Sequence, residues 1–207
     1  MKELTFGYYD IPPTICLVAG AIYAFKFSKL NSSERLIAVI LFMNIVADTA
    51  AYFLIHGEMG YQYIYNLLLP LERIIALVVY AKNENTKRAK SIYGLGMAVI
   101  MAVYIVGYFS VDLFTEFHYV SNTITALILT ALSYLHLRTI SSRKVESSRI
   151  VILFTAATFM YSALTVSAMS AASFGAQIDF NFFNINLYAY SLWSIILIIA
   201  ILWNKKT

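Results

Sequence analysis

The sequence predicts an all-α integral membrane protein of seven transmembrane helices in a single domain, and three observations predict it. Apolar residues make up 60% of the 207 residues and charged residues 13%, with a mean hydropathy of +0.72, whereas soluble domains are roughly half apolar and a quarter charged. Seven apolar runs follow one another, at 11–27, 36–55, 61–80, 92–109, 120–137, 150–169 and 183–203. Each approaches the roughly 20 residues that an α-helix needs to cross a bilayer. The basic residues fall into alternate gaps between the runs. Lys26, Lys29 and Arg35 follow the first run; Lys82, Lys87, Arg88 and Lys90 follow the third. Arg138, Arg143, Lys144 and Arg149 follow the fifth, and Lys205 and Lys206 follow the seventh. Only Lys2 and Arg73 depart from this pattern, and Glu58, Asp112, Glu116 and Asp179 occupy the opposite gaps. The positive-inside rule then predicts the N-terminus out and the C-terminus in. The surplus of basic residues is a topology signal, and nucleic acid is not an expected partner.

Taken in order, the first run opens with Tyr8, Tyr9 and the pair Pro12-Pro13, which suits the first turn of a helix. The preceding residues lack a cationic stretch ending in a cleavage site, so this run is expected to be a mature span. Ser32 or Ser33 is placed to cap the second helix. Asn31-Ser32-Ser33 matches the glycosylation pattern but falls on the inner side. Tyr61, Tyr63, Tyr65, Phe114, Phe117, Tyr119, Phe180, Phe182 and Phe183 form aromatic belts at the outer ends. Cys16 is the only cysteine, which excludes a disulfide framework and a cysteine zinc site. The gaps 82–90 and 138–149 are short basic loops suited to anionic lipid or to a partner. The first and fourth spans carry no charge in their cores and are expected to face lipid.

The third span is the anomalous one. Glu72 lies eleven residues after Tyr61 and ten before Lys82, which places it near the membrane midplane beside Arg73. An ionisable side chain there costs about 2.5–3.5 kcal/mol to insert. Pro70 has no N–H to donate to the carbonyl of Asn66, which predicts a kink and a free acceptor at membrane depth. Tyr65 and Glu72 share one face of this helix; Asn66 and Arg73 share the neighbouring face. In the second span Asn44 and Asp48 share a face, with Asp48 about 12 Å from the end at His56. The sixth span carries Thr158, Ser162 and Thr165 as a stripe beside Tyr161; the seventh carries Asn186, Tyr190 and Trp193. Such stripes serve helix packing as readily as function, but intramembrane acids mark counter-ions, proton carriers or cation sites. With both acids ionised, Asp48, Glu72 and Arg73 together carry one net negative charge.

Other chemistries find no support in the residues. His56 and His118 lie at outer ends and His136 at an inner end, so they cannot share one metal. No nucleophile elbow, HExxH or phosphate loop occurs. No lysine lies at mid-depth to carry a retinal Schiff base.

A weak internal echo relates residues 11–81 to 118–203. Asn31-Ser32-Ser33 corresponds to Glu146-Ser147-Ser148, Ile40-Leu41-Phe42 to Ile152-Leu153-Phe154, and Tyr65-Asn66-Leu67 to Ile185-Asn186-Leu187. This predicts a parallel 3+1+3 repeat linked by the span at 92–109. The phrase Ile64-Tyr65-Asn66-Leu67-Leu68-Leu69-Pro70-Leu71-Glu72, with Asn184 and Asn186 in a last span ending near Trp203, resembles uncharacterised small seven-helix membrane proteins of Bacteroidetes. That resemblance implies architecture and little else; a bacterial inner membrane is the expected location. The 3+1+3 pattern is similar in architecture to SWEET and PQ-loop transporters and to trimeric intracellular cation channels. This chain has neither the Pro-Gln dipeptide of the former nor the glycine-rich kinks of the latter.

The leading expectation is therefore a protein that binds, and translocates, a small polar or cationic solute or protons among the second, third, sixth and seventh helices. Asp48 and Glu72 would carry the charge and Arg73 would tune them. Pro70 would expose the Asn66 carbonyl, and Asn44, Tyr65, Ser162, Asn186 and Tyr190 would complete the wall. No cofactor and no metal are expected. A receptor-like sensor that signals to a cytoplasmic partner is the alternative, and a lipid-modifying enzyme a lower one. A homo-oligomer is left open.

Overall fold

The computed structural model describes residues 11–56, 62–110, 118–142, 147–173 and 180–203. They form seven helices: α1 (Ile11–Lys26), α2 (Ser32–His56), α3 (Gln62–Asn83), α4 (Lys87–Ser110), α5 (Tyr119–Ser141), α6 (Arg149–Ser173) and α7 (Phe180–Leu202). A single 3₁₀ turn, Phe27–Lys29, joins α1 to α2. All seven helices are long and apolar enough to cross a membrane. Most run a few residues beyond the apolar stretches, because their first and last turns are built from polar and basic residues outside the hydrocarbon layer.

The polar starts explain these longer ends. Asn31 caps α2: its Oδ1 accepts from the N–H groups of Ser33 and Glu34, both at 3.0 Å. Glu34 Oε2 accepts from the Asn31 N–H at 2.9 Å and completes a reciprocal box. The cap is thus Asn31, in place of the expected Ser32 or Ser33. Its amide oxygen satisfies two otherwise orphaned donors at once. Thr86 caps α4 through the Ala89 N–H at 3.2 Å, and Ser148 caps α6 through the Val151 N–H at 3.4 Å.

Each helix packs against its neighbours in sequence, and α1 packs against α7 to close a ring. Tyr23 Oη and Lys26 Nζ, on α1, reach the α7 carbonyls of Leu197 and Ile201, both at 3.4 Å. α3 also touches α5, and α2 touches α6, so the ring is collapsed inward onto a filled centre. Tyr23, Tyr80, Tyr104 and Phe154 are its largest fully buried side chains. The outer surface carries Phe25, Phe53, Leu95, Val106 and Phe109, all strongly exposed, an apolar coat suited to lipid.

Glycine sets the spacing at the α4–α5 contact. A Cβ at Gly96 would stand 2.5 Å from Leu132 Cδ1 and 3.2 Å from Leu77 Cδ1; one at Gly107 would strike the Ser121 hydroxyl. Small residues of this kind let membrane helices approach closely. α4 is therefore an integral wall of the bundle, with Tyr93, Gly96, Ile100, Tyr104 and Gly107 buried along one face. Its other faces are exposed through Leu95, Val106 and Phe109, and α4 is the least buried of the seven spans, in line with the expectation that it meets lipid. Likewise α1 buries Cys16, Ala19, Gly20 and Tyr23. Absence of charge marked these two helices as lipid-facing; they are the two least buried spans, and each still packs one face of tyrosines and small residues into the bundle.

The outer-belt residues Tyr8, Tyr9, Tyr61, Phe114 and Phe117 and the acids Glu58, Asp112, Glu116 and Asp179 lie outside the described residues, as do Lys2, Arg143, Lys144, Lys205 and Lys206. The side chains of His56, Phe180, Phe182, Phe183 and Asn184 lie outside them too.

Replacing Gly96 with Val should push α4 away from Leu132 and lower stability by about 1–3 kcal/mol, the usual range for overpacking. Thermal unfolding in detergent measures the change, and an unaltered midpoint would show that the contact tolerates the added volume.

Candidate functional site

The polar residues of α3 divide between two sides, as their seven-residue spacing requires. On one side, the Tyr65 hydroxyl donates to Asp48 Oδ1 at 3.1 Å, and the Tyr190 hydroxyl donates to Asp48 Oδ2 at 2.9 Å. Three helices, α2, α3 and α7, thereby meet on one carboxyl group. Asn44, one turn from Asp48, lies beside Glu72 across the α2–α3 contact. Asp48 and Glu72 lie within electrostatic reach of each other. The Cys16 thiol of α1 sits against Tyr190 and Ser194 at the edge of the same group.

On the other side, the Arg73 guanidinium is buried between α4 and α5. Its Nη1 donates to the Tyr104 hydroxyl at 3.1 Å, to the Asn122 carbonyl at 3.3 Å, and to Thr125 Oγ1. The Tyr104 hydroxyl in turn donates to Asn122 Oδ1 at 2.8 Å. All the acceptors are neutral. Among the described residues no basic side chain stands within ion-pair distance of Asp48 or Glu72, and the one carboxylate–imidazole contact joins Glu84 to His136 at 3.1 Å.

The carbonyl that Pro70 leaves free does not line the acid side. α3 continues through Pro70, and the Asn66 carbonyl accepts from the Tyr108 hydroxyl of α4 at 2.8 Å. The Asn66 side chain accepts from the His118 backbone N–H at 3.2 Å, tying α3 to the start of α5. An unpaired carbonyl at this depth would cost several kcal/mol. Tyr108 removes that penalty.

Ser162 and Asn186 stand apart from the acids as well. The Thr130 hydroxyl of α5 donates to Ser162 Oγ at 2.9 Å, and Thr165 donates to Asn186 Oδ1 at 2.9 Å. Both contacts join α6 to a neighbouring helix. Trp193 Nε1 donates to Thr158 Oγ1 at 3.2 Å in the same manner. Of the nine residues expected to form one wall, Asn44, Asp48, Tyr65, Glu72 and Tyr190 are brought together, while Asn66, Arg73, Ser162 and Asn186 join other pairs of helices. Aromatic rings close the acid side: Tyr190 stacks on Trp193 with centroids 6.2 Å apart, and Tyr161 lies 6.3 Å from Tyr190.

Sequence reasoning missed Tyr104, Tyr108 and Thr125, the partners of the α3 anomalies, and Cys16 at the edge of the site. The spacing of Tyr93, Gly96, Ile100, Tyr104 and Gly107 is a helical stripe that could have revealed the buried face of α4. Among the described residues, no three histidine, cysteine or acidic side chains gather in a way that could hold a metal.

The Tyr108–Asn66 bond can be isolated with a double-mutant cycle. Tyr108→Phe should destabilise the protein by about 1–3 kcal/mol, the range for an orphaned buried acceptor. In a Pro70→Ala background, the restored N–H of residue 70 should reduce that loss to well under half. Equal losses in both backgrounds, measured by chemical unfolding in micelles, would show that the proline-freed carbonyl does not need Tyr108.

Comparison with protein-family models, with characterised proteins and with solved structures gives no match for this chain.

Proposed function

We propose that the protein binds a small cation, a proton included, at the Asp48–Glu72 pair and carries it across the membrane. One observation carries this reading: two carboxyl groups lie within electrostatic reach of each other between α2 and α3, and Arg73, the residue after Glu72, gives its hydrogen bonds to α4 and α5. The donors that reach the acids, Tyr65, Tyr190 and Asn44, are all neutral. Glu72 and Arg73 offset each other through space, which leaves the negative charge of Asp48 to be balanced by a proton or by a cargo cation. The rings of Tyr161, Tyr190 and Trp193 beside the pair suit an organic cation through their negative faces.

In this reading the N-terminus faces outward and the C-terminus inward, by the distribution of basic residues, in a bacterial inner membrane. The parallel 3+1+3 repeat belongs to the same proposal and rests on the sequence echo between 11–81 and 118–203. The lipid bilayer is the surrounding partner. Self-association and a cytoplasmic signalling partner are compatible additions, and no catalytic role, cofactor or nucleic acid forms part of the reading.

The test uses the single cysteine. In a Cys16→Ser background, cysteines are placed singly at Asn44, Asp48 and Glu72, with Ser162 and Asn186 as packing controls. Thiol reagents that cannot cross the bilayer are then applied to either face. Labelling of the first three positions from both faces is expected. Labelling from outside alone would replace transport with a receptor pocket, and protection of all three would overturn the site. In proteoliposomes, Asp48→Asn and Glu72→Gln should each lower cation or proton flux by about tenfold or more, since each removes a charge worth at least one decade in binding. Tyr190→Phe should lower it less, because Tyr65 still holds Asp48.

A further inference from the structure

A second polar group lies at the basic end of the bundle, where α3 ends and α4 and α5 meet. Glu84 follows α3 directly and is 4% exposed, yet its carboxylate lines a cleft of about 340 Å³. Its Oε1 is fully committed: the Tyr93 hydroxyl donates to it at 3.2 Å, and His136 Nδ1 stands 3.1 Å from it. Tyr80 stacks on the His136 ring at 4.7 Å and donates toward or accepts from Ser133 at 2.9 Å, which locks the imidazole in place. Oε2 takes no hydrogen bond from any described residue. Arg138, Thr139 and Ser142 line the same cleft. Ile92 and Leu135, both exposed toward the outer surface of the bundle, form the apolar side.

We infer that this cleft binds the headgroup of a primary-amine phospholipid from the leaflet on the basic face. The ammonium group donates to Glu84 Oε2, the phosphate meets Arg138 with the hydroxyls of Thr139 and Ser142, and an acyl chain runs along Ile92 and Leu135. The chemistry selects this class. A buried carboxylate and an exposed guanidinium in one cleft match a zwitterion of opposite polarity. An anionic headgroup would pair with Arg138 but set a negative charge against Glu84. A choline headgroup carries no N–H to donate. The open apolar wall favours a lipid over a free zwitterion, because only a lipid covers Ile92 and Leu135. Glu84 is held rigid by Tyr93 and His136, so little ordering is needed on binding.

Native mass spectrometry of the purified full chain in micelles tests the assignment. The probes are dioleoyl phosphatidylethanolamine, phosphatidylcholine and phosphatidylglycerol, and soluble phosphoethanolamine. One ethanolamine lipid should be retained about tenfold more tightly than the choline or glycerol lipid, the value of one hydrogen bond to a charged group. Glu84→Gln should lose most of that preference, and Arg138→Ala, which removes the partner of the phosphate that all three lipids share, should weaken retention of each of them by a similar factor. Arg138 is exposed, so its replacement leaves the fold intact even if Glu84→Gln does not. Equal retention of the three lipids would overturn the inference, as would undiminished retention in Arg138→Ala. Binding of soluble phosphoethanolamine as tightly as the lipid would overturn the lipid as the ligand.

Discussion

The burial of Arg73 is the constraint on which the arrangement of this bundle depends. A guanidinium cannot be left bare inside a bilayer, and snorkelling does not rescue one at the middle of a span. α3 must therefore present Arg73 to helices that offer oxygen atoms at its level. Tyr104, the Asn122 carbonyl and Thr125 do so, which fixes α4 and α5 against that side of α3. Seven residues earlier on the same face, Asn66 receives Tyr108 and the start of α5. The helix is pinned twice on one side. Its other side, with Tyr65 and Glu72, is then turned toward α2 with no freedom to choose. The acid pair is in this sense a consequence of where the arginine goes.

Between the two polar groups runs a row of aromatic rings. Tyr93 and His136 pack on Tyr80, Tyr80 lies 6.3 Å from Phe154, and Phe154 lies 6.3 Å from Trp193. Trp193 stacks on Tyr190, whose hydroxyl reaches Asp48. The row crosses α3, α4, α5, α6 and α7, and large rigid rings make it a stiff element of the core. Small displacements of α7 at Tyr190 are met by Phe154 and Tyr80 before they reach any loop.

Much of this was legible in the sequence, and the residues show why. The seven spans follow from apolar length alone. The division of α3 into two polar faces follows from the spacing of Tyr65 with Glu72 and of Asn66 with Arg73, and the structure sends each pair where one face goes. The grouping of Asn44, Asp48 and Tyr190 follows from depth. What periodicity cannot supply is which neighbour each face meets. Ser162 and Asn186 have the depth of the acids but face α5 and α6 contacts, and depth without azimuth could not separate them. The role of α4 was legible only in part: Tyr104 lies on a helical stripe with Tyr93, Gly96, Ile100 and Gly107, but Tyr108 falls beside that stripe, and tyrosine belongs equally to cores and to interfaces. His136 was set aside as a lone histidine, because its partner Glu84 is 52 positions away in the chain.

The two bonds that hold Asp48 differ greatly in sequence separation, 17 residues for Tyr65 and 142 for Tyr190. A chain threaded into the membrane from its N-terminal side places α2 and α3 together early, with Asp48 held by one tyrosine. The second tyrosine arrives only after the remaining four helices have been made. Throughout that interval one carboxylate oxygen faces unfinished surroundings, and insertion scales put an unsupported aspartate at about 2.5–3.5 kcal/mol. The arrival of α7 with Tyr190 thus completes the hold on Asp48, and the order in which the helices are made bears on how much charge the second helix can carry.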